Sequence, residues 1–598
     1  MSELPPQLPE QDITTAQQDA DFRAVNSFLN ALLREWNGWS LLPESKKEAW
    51  GLVGRVVQLP IQSPSGTILI SLTHDSGFRK VFSLPALWIT NGNAPKPIST
   101  ETMLSLLVFD DEASAGKSQK KVRFMARVMD SLEMTREALI ALPARMPPEN
   151  WNFAEAEKAL TAGHPTHPNP RSRDEMSPQD ASEYAPEFNG EFPLFWCLAH
   201  ESILSLDSVS HESAADMCCA LVSADGTLPS ALDEDCPEGF IPIPWHPWQA
   251  SHLLLRSDVI QWMQEGLLKI VGKVGRTYSP TGSMRTIHAF HAPYMLKFSM
   301  NLRLTNSLRT LVFKEVERGK QLHRLMETPI GGAIRKDLPT LHILGEPAHI
   351  ALKGLDGIEI EESIVVFRDN PFTTKSAKGP YMLASLCETP LSTSSALGDI
   401  IRAISKHTKD IENTVALDWF QRFLEVAVSP LLHLRSEYGL LFGAHQQNMM
   451  VELQDGYPTD VWIRDCQGTG HLTTTHDLLQ SYVPDIGRFS ENVADPELGD
   501  SLFCYYLVVN NIMNIISTLA IDGLGTEAQF HNCFRHFLEK TQIETNGDDG
   551  FIRMLLDAPT LCSKGNYMTS LSDVNEASGD ADGQLATFLQ IPNPLIKN

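Results

Sequence analysis

Residues 297–305 read Lys-Phe-Ser-Met-Asn-Leu-Arg-Leu-Thr, and polar and apolar side chains alternate along the whole stretch. A period of two is typical of a β-strand with one packed face. The apolar positions are Phe298, Met300, Leu302 and Leu304, and the polar positions are Lys297, Ser299, Asn301, Arg303 and Thr305. The stretch therefore predicts a strand that presents two cations and three hydrogen-bonding side chains on one side.

This strand lies in a basic region of an acidic chain. Between Glu265 and Arg324 there are eleven Lys and Arg against three Glu, whereas the chain has a formal net charge of -26. The loop Ser283-Met-Arg-Thr286 precedes the strand and Arg309 follows it. Guanidinium, ammonium and hydroxyl groups together suit a polyphosphate or a polycarboxylate. An ordinary solvent-facing strand explains the spacing equally well, and for residues 314–324 the mixed charges predict a solvated helix.

Length and composition limit the class of protein. A chain of 598 residues, 42% hydrophobic and 20% charged, predicts a globular protein of two to four domains. The net charge makes nucleic acid and anionic membranes poor partners. Nine scattered cysteines without a CxxC pair predict reduced thiols. The polar N-terminus, residues 1–19, lacks the features of a signal peptide, and apolar runs such as 502–509 are too short to span a bilayer, so we expect a cytoplasmic protein.

Patterning divides the chain into three parts. An amphipathic helix is predicted near the start, where apolar residues recur at helical spacing: Phe22, Val25, Phe28, Leu29, Leu32, Leu33 and Trp36. Short strands such as Thr67–Leu72 follow. A Pro-rich loop at 165–193 and a Ser/Thr run at 392–395 mark two boundaries. We expect parts at 1–150, 151–395 and 396–598, the last mostly helical, in an α+β fold.

The last part contains one hairpin. Two strand-like runs, 449–453 and 461–465, flank a turn at Asp455-Gly456, so His445 and Asn448 should lie beside Asp465. In protein kinases an Asn and an Asp at comparable places hold Mg²⁺ on the nucleotide. Amide and carboxylate oxygens suit Mg²⁺. A polar hairpin end with hydrogen-bonded caps remains the alternative.

Two histidine motifs are more ambiguous. Gly163-His-Pro-Thr-His-Pro168 lies in the Pro-rich loop, where its histidines can order the loop, face an anion or bind a metal. Trp245-His-Pro-Trp-Gln249 predicts packed aromatic surface at the end of a strand. Walker A, GxSxG and HExxH motifs are absent from the sequence.

Taken together, the motifs resemble those of the NRPS-independent siderophore synthetases, the IucA/IucC family. The resemblance spans roughly residues 20–598 and follows the family's order. It rests on Gly163-His-x-x-His-Pro168, His246-Pro-x-Gln249, Ser283-x-Arg-Thr286, Lys297-Phe-Ser299, Thr305-Asn-Ser-x-Arg309, Lys314-Glu-x-Glu317, Arg368-Asp-Asn-Pro-Phe372, Ala444-His-Gln-Gln-Asn448, Arg464-Asp-x-Gln-Gly468 and Lys564-Gly-Asn566. It implies a cupped-hand fold of thumb, fingers and kinase-like palm, a homodimer, and use of ATP and Mg²⁺.

The resemblance also implies residue roles. Ser283, Arg285, Thr286, Lys297, Arg309 and Asn448 match nucleotide binders; His167, Arg309 and His445 match catalytic positions; His445, Gln447 and Arg303 match substrate contacts; Asn448 and Asp465 match the Mg²⁺ site. Two positions depart from the pattern. Arg171 stands where many members have Lys, and Gly443 stands where many have Glu two residues before the palm histidine.

The implied activity is adenylation of citrate by ATP, followed by capture of the acyl group by an amine or alcohol. The overall likeness is to members that act on free citrate, such as the aerobactin, petrobactin, achromobactin and rhizoferrin synthetases. An enzyme acting on a citryl monoamide or another dicarboxylate is the alternative within the class. A kinase-like phosphotransferase, suggested by the hairpin, and a non-catalytic binding protein are the alternatives outside it.

Overall fold

The computed structural model describes residues 10–90, 93–113, 118–142, 146–575 and 588–596. Much of the expected polar N-terminus, residues 1–9, lies outside the described residues. The predicted amphipathic helix is confirmed as a helix of 26 residues that buries its apolar stripe. The N-terminal part contains α1 Glu10–Glu35, β1 Ser40–Leu41, α2 Glu44–Trp50, β2 Arg55–Ile61, β3 Gly66–Asp75, β4 Lys80–Ile89, β5 Lys96–Ile98, α3 Thr100–Phe109 and α4 Ser118–Ala141.

Strands β1 to β5 form one antiparallel sheet in sequence order, and α1 crosses it. Two amides of α1 complete the sheet where β5 ends. Asn26 accepts from the Phe82 N–H at 2.7 Å and donates to its carbonyl at 3.0 Å, and Asn30 does the same for Lys80. Backbone groups that lack a strand partner are thereby satisfied. This pairing fixes α1 above the start of β4.

The middle of the chain forms a larger sheet. Its eight strands are antiparallel in the order β7-β15-β16-β11-β10-β9-β6-β8. The elements are α5 Phe153–Lys158, α6 Pro178–Tyr184, β6 Phe192–His200, β7 Leu204–Ser208, α7 Ala214–Ser223, β8 Phe240–Trp245, α8 Pro247–Leu253, α9 Ser257–Gln264, β9 Leu268–Pro280, β10 Thr286–His288, β11 Tyr294–Phe298, β12 Arg303–Leu304, β13 Ser307–Leu308, α10 Phe313–Met326, α11 Pro329–Asp337, β14 Leu341–Ile343, β15 Ala348–Leu352 and β16 Val365–Asp369. The Pro-rich segment 165–193, predicted as a loop, contains the short helix α6 and the start of β6.

The prediction of one strand over 297–305 is wrong. Strand β11 ends at Phe298, and β12 belongs to a separate ribbon with β13. The chain leaves the sheet at Ser299, whose hydroxyl donates to the Glu361 carbonyl at 2.5 Å and accepts from the Leu311 N–H at 2.9 Å. These side-chain hydrogen bonds compete with the backbone hydrogen bonds that would continue the strand. Lys297 and Ser299 are buried, so the polar face does not meet solvent.

The C-terminal part is mostly helical and contains the predicted hairpin. Its elements are β17 Tyr381–Met382, α12 Leu383–Leu386, α13 Ala396–Thr408, α14 Glu412–Phe423, α15 Ser429–Tyr438, β18 Leu440–Leu441, β19 Met449–Gln454, β20 Tyr457–Ile463, β21 Gly470–Leu472, α16 His476–Gln480, β22 Val493–Ala494, α17 Pro496–Phe503, α18 Met513–Ile521, α19 Glu527–Glu544, α20 Gly550–Asp557, β23 Thr560–Lys564, α21 Asn566–Leu571 and β24 Phe588–Pro592. Strands β19 and β20 pair around Asp455-Gly456, both at positive φ, which confirms the hairpin.

Three large apolar clusters form the core. The first joins α1, the N-terminal sheet, α3 and α4, and also receives Tyr567 and Leu571 of α21. The second lies against the eight-stranded sheet. The third fills the C-terminal part and includes apolar residues of α10 and α11. Helix α10 is therefore partly buried rather than solvated as predicted: Gln321 donates to the Arg488 carbonyl at 2.9 Å.

Among the described residues, one helical stretch is long and apolar enough to cross a membrane, namely Pro496–Ile521. Of its apolar window, 83% is buried inside the protein. It belongs to the third core cluster, whose apolar surface it helps to form.

Candidate functional site

A cavity of about 380 Å³ opens among segments from the N-terminal, middle and C-terminal regions of the chain. Its lining comes from α1, the start of β4, the loop at 160–173, the loop before β10, the β12–β13 ribbon, the end of the hairpin and the helices around residues 505–514. The volume lies within the range of ordinary small-molecule sites, roughly 300–1,000 Å³. The groups that line it come from positions far apart in sequence, which makes it the candidate site.

The loop before β10 is a tight turn that the hydroxyls of the Ser283 motif stabilise. Its Ser283 hydroxyl accepts from the Thr286 N–H at 3.3 Å, and Thr281 donates its N–H to the Thr286 carbonyl at 2.8 Å. Met284 takes a left-handed conformation, with φ of 67°. The turn directs Ser283 and Arg285 into the cavity, while Thr286 lies in the strand and not in the lining.

A buried carboxylate ties this loop to the hairpin. Glu157 of α5 accepts from the Gly282 N–H at 2.7 Å and from an Arg464 guanidinium N–H at 2.7 Å. The same guanidinium donates to the Gln447 carbonyl at 2.6 Å. Because Glu157 is 1% exposed, the three segments are held together by a charge-assisted contact inside the protein.

Lys297 lies at the centre of a buried charge network. Its ammonium is 3.2 Å from one carboxylate oxygen of Glu346 and 2.5 Å from Asp465. Arg368 donates its Nε–H to the same oxygen of Glu346 at 2.9 Å. Lys297 does not line the cavity itself, but its partner Asp465 does. A Lys–Glu pair with a facing Asp is the arrangement by which protein kinases position a nucleotide.

The charge of Asp465 is stabilised strongly. Burial raises the pKa of this carboxyl, but Lys297, Arg285 and Arg368 outweigh that effect and lower the pKa well below its usual range. Its backbone is left-handed, with φ of 67°, which turns the side chain out of the strand direction. Its side chain is 26% exposed, so the anion faces the cavity while it contacts Lys297.

Two arginines flank this network. Arg285 donates to the Gln467 side-chain oxygen at 2.6 Å and to the Arg309 carbonyl at 3.1 Å. Arg309 donates to the Leu304 carbonyl and the Thr305 hydroxyl, each at 3.2 Å. Both arginines line the cavity. They are placed to meet an anion that enters it.

The hairpin end brings His445, Gln447 and Asn448 to the same cavity. The Arg464 N–H donates to the Asn448 carbonyl at 3.1 Å, which places Asn448 beside Asp465 as predicted. Burial lowers the pKa of His445 to about 4; Asp465 raises it, and Arg464 and Arg309 lower it. His445 is therefore neutral near pH 7 and can donate or accept a hydrogen bond.

The histidines of the Pro-rich loop lie on the facing wall. His167 Nε2 is 3.0 Å from the Asn306 side-chain oxygen, and His164 Nε2 is 2.8 Å from the Asn510 amide nitrogen. Burial lowers the pKa of His164 well below its usual range. His164 and His167 line the cavity with His445, and no metal cluster of three His, Cys, Asp or Glu side chains exists among the described residues.

The predicted site residues thus fall into two groups. Those that line the cavity are His167, Ser283, Arg285, Arg309, His445, Gln447, Asn448 and Asp465; Thr286, Lys297 and Arg303 do not. Arg303 is ion-paired with Asp573. The sequence analysis missed Glu157 and Glu346 as organisers and Arg79 as a lining residue. Each acts through a partner distant in sequence, and no local motif indicates it.

Whether the hairpin end suits Mg²⁺ can be judged from its donors. Asp465 offers an ionised carboxylate and Asn448 an amide oxygen, both hard oxygen ligands. Mg²⁺ usually takes one or two protein oxygens and completes its shell with water and phosphate oxygens. The pair therefore fits a metal that arrives with a nucleotide, and it does not form a closed protein site.

Two family models match separate stretches of the chain. Residues 152–388 match the model described as IucA / IucC family, and residues 417–579 match the one described as Ferric iron reductase FhuF-like transporter. The chain is 32% identical to N(2)-citryl-N(6)-acetyl-N(6)-hydroxylysine synthase of Vibrio mimicus, covering 96% of this chain and 95% of the relative. It is 29% identical to spermidine-citrate ligase of Bacillus anthracis, covering 97% and 98%.

Solved structures agree with these relatives. The ATP-bound aerobactin synthetase IucA of Klebsiella pneumoniae superposes with a TM-score of 0.88 at 27% identity, covering 96% of this chain and 99% of that one. The petrobactin biosynthesis protein AsbB of Bacillus anthracis shares the fold, with a TM-score of 0.75 at 17% identity and coverage of 98% and 97%. The fold is that of a siderophore synthetase. The chain belongs to the IucA/IucC family.

Proposed function

We propose that this protein is an ATP-dependent ligase of siderophore biosynthesis that adenylates citrate and joins it to an amine or alcohol. The observation that carries the proposal is the closure of the Ser283 loop and the hairpin around one cavity. Relatives named as citrate ligases and citryl synthases span nearly the whole chain. A solved relative with the same fold is described as ATP-bound.

In the first step a carboxylate oxygen of citrate attacks the α-phosphorus of ATP. The new P–O bond gives citryl-AMP, and the bond to the β-phosphate breaks to release pyrophosphate. Arg285 and Arg309 line the cavity, and Ser283 adds a hydroxyl. Fixed donors aimed at developing charge are usually the largest catalytic term. These three residues would bind phosphate oxygens and carry the phosphoryl charge.

Lys297 and the hairpin would set the position of the nucleotide. Lys297 is held by Glu346 and Asp465, so its charge is fixed before ATP arrives. Asn448 and Asp465 would hold Mg²⁺, which supplies charge neutralisation on the phosphates when bound. Thr286 would act by shaping the turn that presents Ser283 and Arg285. Arg303 stays a proposed substrate contact that would first have to leave Asp573.

The neutral His445 suits the citrate end of the site. His445 cannot store a proton near pH 7, because its pKa is about 4, but its ring can hydrogen-bond a carboxylate or hydroxyl. His167 lies across the cavity, beside Asn306. We propose that His445, Gln447 and His167 orient citrate for attack. Holding two reactants in line converts a bimolecular step into an effectively unimolecular one.

In the second step the nitrogen or oxygen of the nucleophile attacks the citryl carbonyl. The C–O bond to AMP breaks, AMP leaves, and the nucleophile releases its proton. No covalent enzyme intermediate is required, which agrees with cysteines that burial keeps as thiols: the pKa values of Cys387 and Cys504 are raised to about 12. We further propose the thumb, fingers and palm division at 1–150, 151–395 and 396–598, a homodimer, and a cytoplasmic location.

The products that are formed from ATP distinguish this function from its alternatives. Purified protein is incubated with ATP, Mg²⁺ and each of citrate, 2-oxoglutarate and succinate, with and without amines. We expect AMP and pyrophosphate with citrate, and more of both when an amine is added. ADP as the product would establish the kinase-like alternative. Preferential turnover of a citryl monoamide over citrate would mean that the enzyme acts on a pre-formed citryl monoamide and not on free citrate.

A further inference from the structure

One cation that lines the cavity, Arg79, has no part in the proposed adenylation. Arg79 lies just before β4 and is 6% exposed. Its guanidinium donates to two hydroxyls, those of Thr389 at 2.9 Å and Thr518 at 3.2 Å. Among the described residues it forms no ion pair, and its buried Nε has no hydrogen-bond partner. A buried charge without a counter-ion is costly, so Arg79 is suited to an anion that comes with a ligand.

Arg23 and Arg173 also line the cavity, but unlike Arg79 they are paired with carboxylates. Arg23 is held by Asp19 at 2.6 Å and Glu388 at 2.7 Å, and Arg173 by Glu187. Among the residues that the structure describes, eight Lys and Arg side chains line the cavity against two carboxylates, Glu388 and Asp465. Both carboxylates are ion-paired. A ligand with extra positive charge would therefore be repelled, and one with a carboxylate would be attracted.

Asn514 supplies a hydrogen-bond acceptor one helical turn from Thr518, which Arg79 contacts. Asn514 precedes Thr518 by one helical turn, and the Thr518 hydroxyl donates to the Asn514 carbonyl at 2.8 Å. The Asn514 amide donates to the Gln446 side chain at 2.6 Å, which fixes its orientation. Asn514 lines the cavity, and its buried side-chain oxygen has no hydrogen-bond partner in the part of the chain that the structure describes. Gln446 is adjacent to His445, so this acceptor lies near the proposed reaction centre.

We propose that Arg79 and Asn514 form the nucleophile subsite and select an amino acid rather than a polyamine. The carboxylate of the amino acid pairs with the Arg79 guanidinium, and an N–H of its amino group donates to the Asn514 oxygen. This inference rests on the proposed function, since the subsite serves its second step. Relatives named for a lysine derivative and for spermidine leave both classes of nucleophile open.

The test compares amines that differ only by a carboxylate. Lysine is paired with cadaverine, ornithine with putrescine, and 2,3-diaminopropanoate with ethylenediamine. Each is added to wild-type protein with citrate, ATP and Mg²⁺, and the amide is measured by mass spectrometry. We expect the carboxylate-bearing member of a pair to be favoured in kcat/KM by roughly 10- to 100-fold, as for a hydrogen-bonded charge. Equal or better use of the decarboxylated members would overturn the proposal.

A reaction with hydroxylamine distinguishes failure of the subsite proposal from failure of the proposed function. It is small and uncharged near neutral pH, and it captures citryl-AMP as a hydroxamate without needing a carboxylate subsite. If no hydroxamate forms from citrate and ATP, the proposed function itself fails. If hydroxamate forms but no amine of the pairs is coupled, the same pairs are compared as inhibitors of hydroxamate formation. Stronger inhibition by the amino acids supports the subsite, and equal or weaker inhibition overturns it.

Substitutions test whether Arg79 causes the preference for a carboxylate-bearing amine. Arg79→Met keeps the length of the side chain and removes its charge, and we expect the preference for the carboxylate-bearing amine to fall by about tenfold or more. Arg55→Met is the matched control, because Arg55 is a half-exposed arginine of the same sheet that pairs with Asp75. It should keep the wild-type preference. An unchanged preference in Arg79→Met would overturn the role of Arg79, and the wild-type comparison remains decisive if that variant does not fold.

Discussion

The ammonium nitrogen of Lys297 lies 2.5 Å from a carboxylate oxygen of Asp465, although 168 positions separate the two residues. Lys297 belongs to β11 at the centre of the eight-stranded sheet, and Asp465 follows the hairpin strand β20. Glu346 holds the same ammonium from the other side. The contact therefore joins two halves of one site and fixes a cation before any ligand arrives.

Removing this cation should abolish adenylation. In Lys297→Met we expect pyrophosphate release with citrate to fall on the order of 10²- to 10³-fold, as for loss of one preorganised charge donor. Arg368 still pairs with Glu346 in the variant, so the fold should be kept. The control is Lys314→Met, which removes a lysine paired with Glu491 on the outer part of α10. Near-normal release in Lys297→Met would remove this residue from the site.

The sequence predicted the hairpin because its signals are local. Alternating residues on each side of Asp455-Gly456 specify both strands and the turn between them, so the position of Asn448 beside Asp465 follows from pairing alone. The prediction of a strand over 297–305 was wrong for a different reason. Its alternation continues past Phe298, but the hydroxyl of Ser299 binds backbone groups of two other segments and ends the strand. Such contacts cannot be predicted from periodicity.

The two arginines of the β12–β13 ribbon should behave differently. Arg309 lines the cavity, whereas Arg303 pairs with Asp573. We expect Arg309→Ala to lose turnover on the order of 10²-fold or more, because it removes a donor to the phosphates. Arg303→Ala should change turnover by less than about tenfold, as expected for a partly exposed ion pair. Steady-state pyrophosphate release measures both, and a comparable loss in Arg303→Ala would contradict this difference and make the Arg303 contact as important as that of Arg309.

Glu157 offers a test of how the loop and the hairpin are joined. Glu157→Gln keeps the shape of the side chain but weakens its bonds to Gly282 and Arg464. We expect the KM for ATP to rise by roughly tenfold, the typical effect of a hydrogen bond to a charged group. The control is Glu155→Gln on the same helix, where Glu155 caps α5 with Asn152. Equal effects of the two changes on the KM would contradict a specific role for Glu157.

The residues that organise the site could not be found from sequence for a common reason. Glu157 acts on a residue 307 positions away, and Arg79 contacts one 439 positions away. Neither lies in a stretch with unusual spacing or composition. The basic loop and the hairpin carry recognisable patterns because adjacent residues build each of them. The buried carboxylates that align these two segments become visible only when the chain is folded.

The last prediction concerns stability at acidic pH. His246 is fully buried among the rings of Tyr184, Phe192 and Phe298, and burial lowers its pKa from 6.5 to about 3. Below pH 6.5 the unfolded chain binds a proton at this position and the folded chain does not, so the free energy of unfolding falls as the pH falls from about 6.5 toward about 3. Between pH 7.5 and 5.5 this histidine should lower the free energy of unfolding by about 1 kcal/mol.

His246→Asn removes the titrating group and keeps an acceptor for the Trp248 N–H, which His246 now binds at 3.2 Å. Its absolute stability should be lower at both pH values, because the smaller side chain leaves space among the rings. The informative quantity is the difference between pH 7.5 and 5.5, measured by urea unfolding followed through tryptophan fluorescence. Wild type should lose about 1 kcal/mol more than the variant over this interval. Equal losses would show that His246 already carries a proton in the folded protein.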